Sequence, residues 1–352
     1  MSLRHHNELE LADSRAQLPN YEDHAKAETL FTDFQLLHTD YAPYFGWQRR
    51  AFESEHTNVS TDGERIQPGV TKAGSANATV RFFGGSTIWG TGADDNETIP
   101  AYFRALGAGT EVHNHGESGF VSRQNLDRLI SLSNSGAKMD WVVFYDGFND
   151  VRTLCRFDVS VQGHSREQRL QDALRPSNHL LHALTGSTVK VMRFLVPKHL
   201  RQGASDPARP PSRCHAEPER QAQVIATILG NWRIAREVAR LAGAEFLAVL
   251  QPVATLSQSR TKHLPRDATF SGETHPLVYP ALRRAIADAD EPWMIDLSTE
   301  FDRDEYLFID AAHVSPNGNR LMAERIHGII GPASSGEPAR PAAARSHNTA
   351  SS

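Results

Sequence analysis

Short apolar runs alternate along the chain with longer segments whose apolar residues recur at the spacing of a helix. The runs are too short for helices and show little alternation of apolar and polar residues, which is typical of strands buried in a parallel sheet. This pattern predicts strands at 79–84, 111–115, 141–146, 245–250 and 293–297.

The segments between these strands have the pattern of amphipathic helices. Predicted helices cover 22–37, 98–107, 122–135, 217–242, 276–289 and 316–329. Thr98 and Ser315 stand directly before two of them as candidate N-caps, each with a proline in the first turn. In the longest helix the predicted apolar face comprises Val224, Ile228, Ile234, Val238 and Leu241. Strands that alternate with helices predict an α/β fold, a three-layer α/β/α sandwich around a parallel, flavodoxin-like sheet.

The rhythm of strands and helices also divides the chain. Residues 1–78 are predicted to be an N-terminal extension that packs on the core through the aromatic segment 41–47. Residues 79–331 form the α/β domain, which 152–216 interrupt as a proline-rich and basic insertion. The last residues, 332–352, are rich in alanine, serine, proline and arginine, and we expect them to be disordered.

Composition narrows the functional class. The 352 residues carry a net charge of -5, which argues against a nucleic-acid binder that works by neutralising phosphates. No apolar run is long enough for a transmembrane helix. The first residues lack the apolar core of a signal peptide, so we expect a cytoplasmic protein, with export left open.

The two cysteines, Cys155 and Cys214, lack the spacing of a metal site. A disulfide between them is one option, but two free thiols are favoured, because no export signal is visible and the cytosol is reducing. No cluster of histidines and carboxylates has the spacing of a zinc site either, so no metal is expected.

A serine follows the first predicted strand at the point where the strand ends. The strand runs into Gly84, Gly85 and Ser86, which places a hydroxyl at the carboxyl edge of the sheet, where α/β proteins carry their sites. A serine hydroxyl needs a neighbouring base to act as a nucleophile. Asp310 and His313, three residues apart before the last helix, supply an imidazole and a carboxylate that can orient it.

Two further strand ends carry Gly119 and Asn149. Together with the serine block and the Asp-x-x-His block, they make four blocks in the order of the SGNH hydrolases, the GDSL-like esterase and lipase superfamily. The chain resembles this superfamily over residues 79 to about 330. The first block departs from the family's usual Gly-Asp-Ser, because Gly85 replaces the aspartate.

The resemblance implies a role for each of these residues. Ser86 is the expected nucleophile, His313 the base, and Asp310 the carboxylate that orients the base. The backbone N–H groups of Ser86 and Gly119 and the side-chain amide of Asn149 are the expected oxyanion hole. Taken alone, Gly119 also fits a turn glycine and Asn149 a helix cap.

The resemblance implies hydrolysis of a carboxylic ester through an acyl-Ser86 intermediate, without a cofactor. A small acyl group such as acetyl, on a small molecule or a carbohydrate, is favoured. Trp89, Phe120 and Phe148 lie beside the site residues in sequence and are candidate walls of a short acyl pocket, although such rings are equally typical of a core. Two alternatives stay open: acyl transfer to a sugar hydroxyl by the same residues, and a carbohydrate-binding module without catalysis.

Overall fold

The computed structural model describes residues 13–66, 78–107, 109–174, 212–264 and 274–331. The predicted disordered tail, 332–352, lies outside these residues, as does the middle of the predicted insertion. Within the described ranges, no helix is long and apolar enough to cross a bilayer.

The N-terminal part of the described chain contains helices and a hairpin. Its elements are a 3₁₀-helix at Ser14–Gln17, helix α1 (His24–Leu36), and strands β1 (Thr39–Ala42) and β2 (Gly46–Arg49). Phe45 and Trp47 are buried and pack edge-on against Phe120 of the α/β domain. Tyr41 and Tyr44 are exposed, so only part of the aromatic segment serves as an anchor.

A parallel sheet of five strands forms the centre of the described domain. The strands are β3 (Ala78–Gly84), β4 (Thr110–Asn114), β5 (Trp141–Asp146), β6 (Glu245–Leu250) and β7 (Met294–Asp296). They lie in the order β4-β3-β5-β6-β7, which is the flavodoxin-like order, and each predicted strand is confirmed to within one residue at either end. Every residue of β3 is buried, which explains why its sequence lacks the alternation of a half-exposed strand.

Helices cover both faces of the sheet, which confirms the predicted three-layer sandwich. They are α2 (Ser86–Trp89), α3 (Ile99–Leu106), α4 (Ser122–Asn134), α5 (Phe148–Leu154), α6 (Glu167–Leu174), α7 (Arg213–Ala216), α8 (Pro218–Leu241), α9 (Thr274–Ala289) and α10 (Pro316–Ile330). Helices α4, α8 and α9 pack on one face, and α1, α3 and α10 on the other. The predicted caps Thr98 and Ser315 accept hydrogen bonds from backbone N–H groups in α3 and α10.

The predicted apolar face of α8 is wrong in its C-terminal half. Ile234 is 51% exposed and Leu241 is 78% exposed. The buried face instead continues from Ile228 through Trp232 and Ala235. Steps of three or four residues keep side chains on one face of a helix, whereas Ile234 is six residues beyond Ile228 and turns away from the sheet.

The prediction of two free thiols is also wrong. Cys155, at the end of α5, forms a disulfide with Cys214 in α7, and their Cα atoms are 5.0 Å apart. The Arg213 N–H donates to the Cys155 carbonyl at 2.8 Å, so the two ends of the insertion meet. The prediction of free thiols rested only on the expected reducing cytosol, because the sequence does not show that residues 59 positions apart are in contact.

Candidate active site

Ser86 lies at the turn between β3 and α2, at the carboxyl end of the sheet. Residues 78–85 and 87–95 are all buried, and Ser86 between them is partly exposed. β3 has β4 on one side and β5 on the other, so the chain reverses its strand order at this point. Such a switch point opens a crevice at the strand ends, and Ser86 stands in it.

Close packing of backbone fixes the direction of this turn. A Cβ added at Gly84 would lie 2.8 Å from the Tyr145 carbonyl oxygen and 2.7 Å from the Ile88 side chain. A Cβ added at Gly116, after β4, would lie 2.3 Å from the backbone nitrogen of Trp89. Glycine at both positions therefore lets α2 sit directly against the neighbouring strand ends, with Ser86 in its first turn.

The structure brings Ser86, His313 and Asp310 into one hydrogen-bonded chain. His313 Nε2 is 2.6 Å from Ser86 Oγ, and His313 Nδ1 is 2.6 Å from Asp310 Oδ2. With Asp310 ionised, Nδ1–H donates to the carboxylate and Nε2 is left to accept the serine proton. The side chains of Asp310 and His313 are 16% and 18% exposed, so these hydrogen-bonded side chains lie close to the protein surface.

A tight turn before α10 holds the aspartate and the histidine. The Ile309 N–H donates to the His313 carbonyl at 2.9 Å, which closes the turn. Within it, Asp310 Oδ1 accepts from the N–H groups of Ala312 and His313 at 3.0 and 2.8 Å. One carboxylate oxygen therefore holds the backbone, and the other is aimed at the imidazole.

A residue of the N-terminal segment completes the surroundings of Asp310. Arg15 Nη1 donates to Asp310 Oδ2 at 2.8 Å, the same oxygen that faces His313. Burial raises the pKa of Asp310, but His313 and Arg15 outweigh it and hold that pKa well below its usual range. Sequence reasoning missed Arg15, because it lies 295 positions from its partner and belongs to no block of the resemblance.

The two strand ends beside Ser86 carry the candidate oxyanion donors. Gly119 follows β4 and has φ of +76°, a conformation that favours glycine. Asn149 lies in the first turn of α5, directly after β5. Within the described parts of the chain, the N–H groups of Ser86 and Gly119 and the Asn149 amide donate to no protein acceptor. These donors are therefore available to a substrate oxygen.

Gly85 explains how the Asn149 amide approaches the serine. A Cβ added at Gly85 would lie 2.3 Å from Asn149 Nδ2. The amide thus occupies the space in which a side chain at position 85 would begin. Where the family usually has an aspartate, this chain has Gly85, and the Asn149 side chain lies against its backbone beside Ser86.

A buried carboxylate holds the loop that carries Gly119. Glu117 accepts from the Arg49 N–H at 2.9 Å and from the Ser118 N–H at 2.7 Å. The Glu117 N–H donates to the Gly84 carbonyl at 3.1 Å, which ties this loop to the end of β3. Burial raises the pKa of Glu117, while Arg49 acts in the opposite direction. The N-terminal hairpin therefore supports this side of the site through Arg49.

Two buried aspartates hold the end of β5 and the start of α5, on either side of the turn before Asn149. Asp150 Oδ1 accepts from the Ser122 N–H at 2.9 Å and from its hydroxyl at 2.6 Å. Asp146 accepts from the Asn125 amide at 2.7 Å and from the Trp232 indole at 2.9 Å. Burial and the charge of Asp150 raise the pKa of Asp146 well above its usual range. Asp150 therefore ties α5 to α4, and Asp146 ties the end of β5 to α4 and α8.

All three aromatic residues that were candidates for the acyl pocket are buried. Two guanidinium groups lie over the Trp89 ring, with Arg49 at 4.0 Å and Arg65 at 4.4 Å from the ring centroid. Phe120 packs against the N-terminal hairpin, and Phe148 stacks on His275 with 4.6 Å between ring centroids. Protein neighbours therefore fix each ring in place.

One group in the described residues has side chains of the types that bind metals. Ligand atoms of Glu64, His113 and His115 lie within 4.8 Å of one another. Arg81 donates to His115 Nε2 at 2.9 Å, and His113 Nδ1 faces Glu64 at 2.8 Å. Burial, Arg128 and Arg81 lower the pKa of His115 well below its usual range. Two guanidinium groups beside the imidazole also oppose the binding of a cation.

No protein-family model matches the sequence, and no curated protein matches it either. Among solved structures, the chain is similar to a carbohydrate acetylesterase from Sinorhizobium meliloti, at 16% identity over 72% of this chain and 98% of that one, with a TM-score of 0.40. It is similar to a member of the lipolytic G-D-S-L family from Veillonella parvula, at 12% identity over 72% of this chain and 97% of that one, with a TM-score of 0.40. A GDSL-like lipase from Bacteroides thetaiotaomicron is similar at 14% identity, over 74% of this chain and 91% of that one, with a TM-score of 0.39.

Proposed function

We propose that the protein is a serine esterase of the SGNH type, which hydrolyses a carboxylic ester through an acyl-Ser86 intermediate. One observation carries the proposal: the chain of two 2.6 Å contacts from Ser86 Oγ through His313 to Asp310, placed at the switch point of the sheet. A serine aligned with a base and an orienting carboxylate is the arrangement that activates a hydroxyl for acyl transfer.

In the proposed first step, Ser86 Oγ attacks the ester carbonyl while its proton passes to His313 Nε2. The carbonyl oxygen becomes an oxyanion, which the N–H groups of Ser86 and Gly119 and the Asn149 amide are free to stabilise. His313 then donates the proton to the departing alkoxide, and the alcohol leaves. Water repeats the sequence on the acyl-serine, with His313 again as base, and releases the carboxylic acid.

A short acyl group is the substrate class we propose. The proposal takes Trp89, Phe120 and Phe148, which flank the site residues in sequence and are each held by protein neighbours, as the fixed boundary of a short acyl pocket. An acetyl ester of a small alcohol or a carbohydrate fits such a site. An open groove would instead gain about 0.8 kcal/mol for each CH2 that it buries.

Burst kinetics with p-nitrophenyl acetate test the proposed reaction. The wild type should release p-nitrophenol, and Ser86→Ala should lose at least about 10³-fold in kcat/KM with an unchanged fold. Ser131→Ala, an exposed serine on α4, is the matched control and should retain full activity. Activity of Ser86→Ala within about tenfold of wild type would refute the assignment of the nucleophile.

The acyl preference has its own test. We expect kcat/KM to fall from p-nitrophenyl acetate to butyrate and octanoate, measured below their micelle limits. A value that rises with chain length would refute the short acyl pocket and leave the serine mechanism standing.

A further inference from the structure

We infer that Arg15, outside the four sequence blocks, is a positioning residue for the Asp310–His313 pair and sets the pH at which the site becomes active. The inference rests on the proposed serine esterase function, because it concerns the same carboxylate and imidazole. It assigns a role in the site to the N-terminal segment, which the resemblance does not cover.

The position of the guanidinium carries this inference. Arg15 Nη1 donates to Asp310 Oδ2 at 2.8 Å, and the imidazole Nδ1 lies 2.6 Å from that same oxygen. The Arg15 charge is thus one carboxylate oxygen away from the group that takes the serine proton. The side chains of Arg15 and Asp310 are 20% and 16% exposed, so water screens the pair only in part.

Three separate contacts hold the guanidinium in this place. Arg15 Nη2 donates to Asp13 Oδ2 at 2.7 Å, and Arg15 Nε donates to Asp13 Oδ1 at 3.0 Å. The guanidinium carbon lies 4.6 Å from the centroid of the Phe31 ring. A side chain that is held along one edge by Asp13 and on one face by Phe31 presents Nη1, on the other edge, to Asp310 in a fixed direction.

The segment that carries Arg15 is itself docked on the turn before α10. The Asn20 amide donates to the carbonyls of Tyr306 and Phe308 at 2.7 and 3.2 Å. The Tyr21 hydroxyl donates to the Gly92 carbonyl at 2.9 Å, close to α2. The segment therefore bridges the two parts of the chain that supply the serine and the histidine.

The sign of the electrostatic effect follows from the charges around the pair. The titratable groups of the described N-terminal segment that interact with Asp310 include Asp13, Arg15 and Tyr21, and Glu97 lies beside Tyr21. Tyr21 is a neutral phenol at ordinary pH, and burial raises its pKa further. The positive charge of Arg15 opposes protonation of the imidazole, and the negative charge of Asp13 weakens that opposition.

Removal of the two charges should therefore shift the acid limb of kcat/KM in opposite directions. For Arg15→Gln we expect the limb to move up by about 0.5–1 pH unit, with kcat/KM about 3–10-fold lower at a pH on the limb. For Asp13→Asn we expect it to move down by about 0.2–0.5 pH unit. Arg15→Lys keeps the charge, so its limb should stay near that of wild type.

Profiles of kcat/KM against pH with p-nitrophenyl acetate, at low ionic strength, measure these shifts. Arg240→Gln breaks an exposed ion pair with Glu237 and is the control, with an unchanged limb. Opposite shifts for Arg15→Gln and Asp13→Asn support the inference, since a contact that only docks the segment would not move the limb. Limbs that coincide with wild type in both variants would overturn it.

An activity-independent readout separates this inference from the proposed function. The titration midpoint of the His313 imidazole, followed by NMR in the protein without substrate, should shift with the same signs in the same variants. If the wild type hydrolyses no ester but these midpoints shift, the proposed function fails and the effect of Arg15 on the pair stands. If Arg15→Gln does not fold, the shifts in Asp13→Asn and their absence in Arg15→Lys decide the matter.

Discussion

Replacing Gly85 with alanine should displace the Asn149 amide and slow the reaction. The backbone at Gly85 has φ of -81°, which any L-residue adopts, so the substitution acts through its Cβ alone. That Cβ would lie 2.3 Å from Asn149 Nδ2, whereas ordinary van der Waals contact begins at 3.4 Å. The amide must therefore move by about 1.1 Å, the difference between the two distances. A misplacement of about 1 Å can cost about 10²-fold in rate.

We expect kcat of Gly85→Ala with p-nitrophenyl acetate to fall by about 10²-fold with little change in KM, since the lost contact forms in the transition state. Asn149→Ala should lose about 10²–10³-fold in kcat. The double variant should be no slower than Asn149→Ala, because both substitutions remove the same interaction, that of the Asn149 amide with the oxyanion. Gly230→Ala in α8, where an added Cβ meets nothing within 4 Å, is the matched control.

The outcome for Gly85→Ala is informative in either direction. A wild-type kcat would show that the amide of Asn149 does not act from its place beside Ser86. Losses that multiply in the double variant would show that Gly85 and Asn149 serve the reaction separately. Unfolding curves of both variants exclude a trivial loss of folded protein.

Three further predictions concern the histidine, the aspartate and the disulfide. His313→Ala should lower kcat by about 10⁶-fold and Asp310→Asn by about 10⁴-fold, and a wild-type rate that is independent of pH from about 5 to 8 would contradict a histidine base. Because the fold lowers the pKa of Asp310, the ionised carboxylate stabilises the folded protein above its unfolded pKa of about 4. The free energy of unfolding of wild type should therefore exceed that of Asp310→Asn at neutral pH, and this difference should shrink as the pH falls below about 4. A difference that stays constant with pH in urea unfolding would argue against the ion pairs. Cys155→Ser with Cys214→Ser should lower the free energy of unfolding by about 2–4 kcal/mol, and an unchanged urea midpoint would contradict a stabilising cross-link.

The strands could be predicted because each is a buried apolar run that ends at a turn. Because both faces of the central strands are buried, most of their residues are apolar, and these strands can be recognised from the sequence without knowledge of the tertiary structure. For this reason the predicted bounds of β5 and β6 are the same as the observed bounds. The caps of α3 and α10 were equally visible, since Thr98 and Ser315 precede proline-containing first turns.

Errors arose where a third element decides the outcome. In α8 the sheet selects the face that is buried, and the apolar residues Ile234 and Leu241 remain on the solvent side. Cys155 and Cys214 meet because the chain folds back between them. In both cases the sequence offers residues of the right type, and only the packing shows which of them make contact.

The candidate site divides in the same way. Ser86, Asp310 and His313 lie in short local patterns, so their convergence could be predicted from the order of the blocks and the parallel sheet. Arg15 lies in a segment with no pattern of its own, and Asn149 leans over Gly85 only because that residue lacks a Cβ. Contacts of this kind depend on distances of a few ångströms, which spacing in sequence does not encode.

Covalent labelling of the nucleophile is the most direct test of whether Ser86 carries the acyl group. A fluorophosphonate loses fluoride to an activated serine and leaves a stable phosphonyl ester, which mass spectrometry of the digested protein can locate. We expect a single label on Ser86, which is absent in Ser86→Ala and forms more slowly in His313→Ala, in parallel with the loss of ester hydrolysis. If the wild-type protein hydrolyses p-nitrophenyl acetate but carries the label on another residue, or carries no label, Ser86 is not the nucleophile.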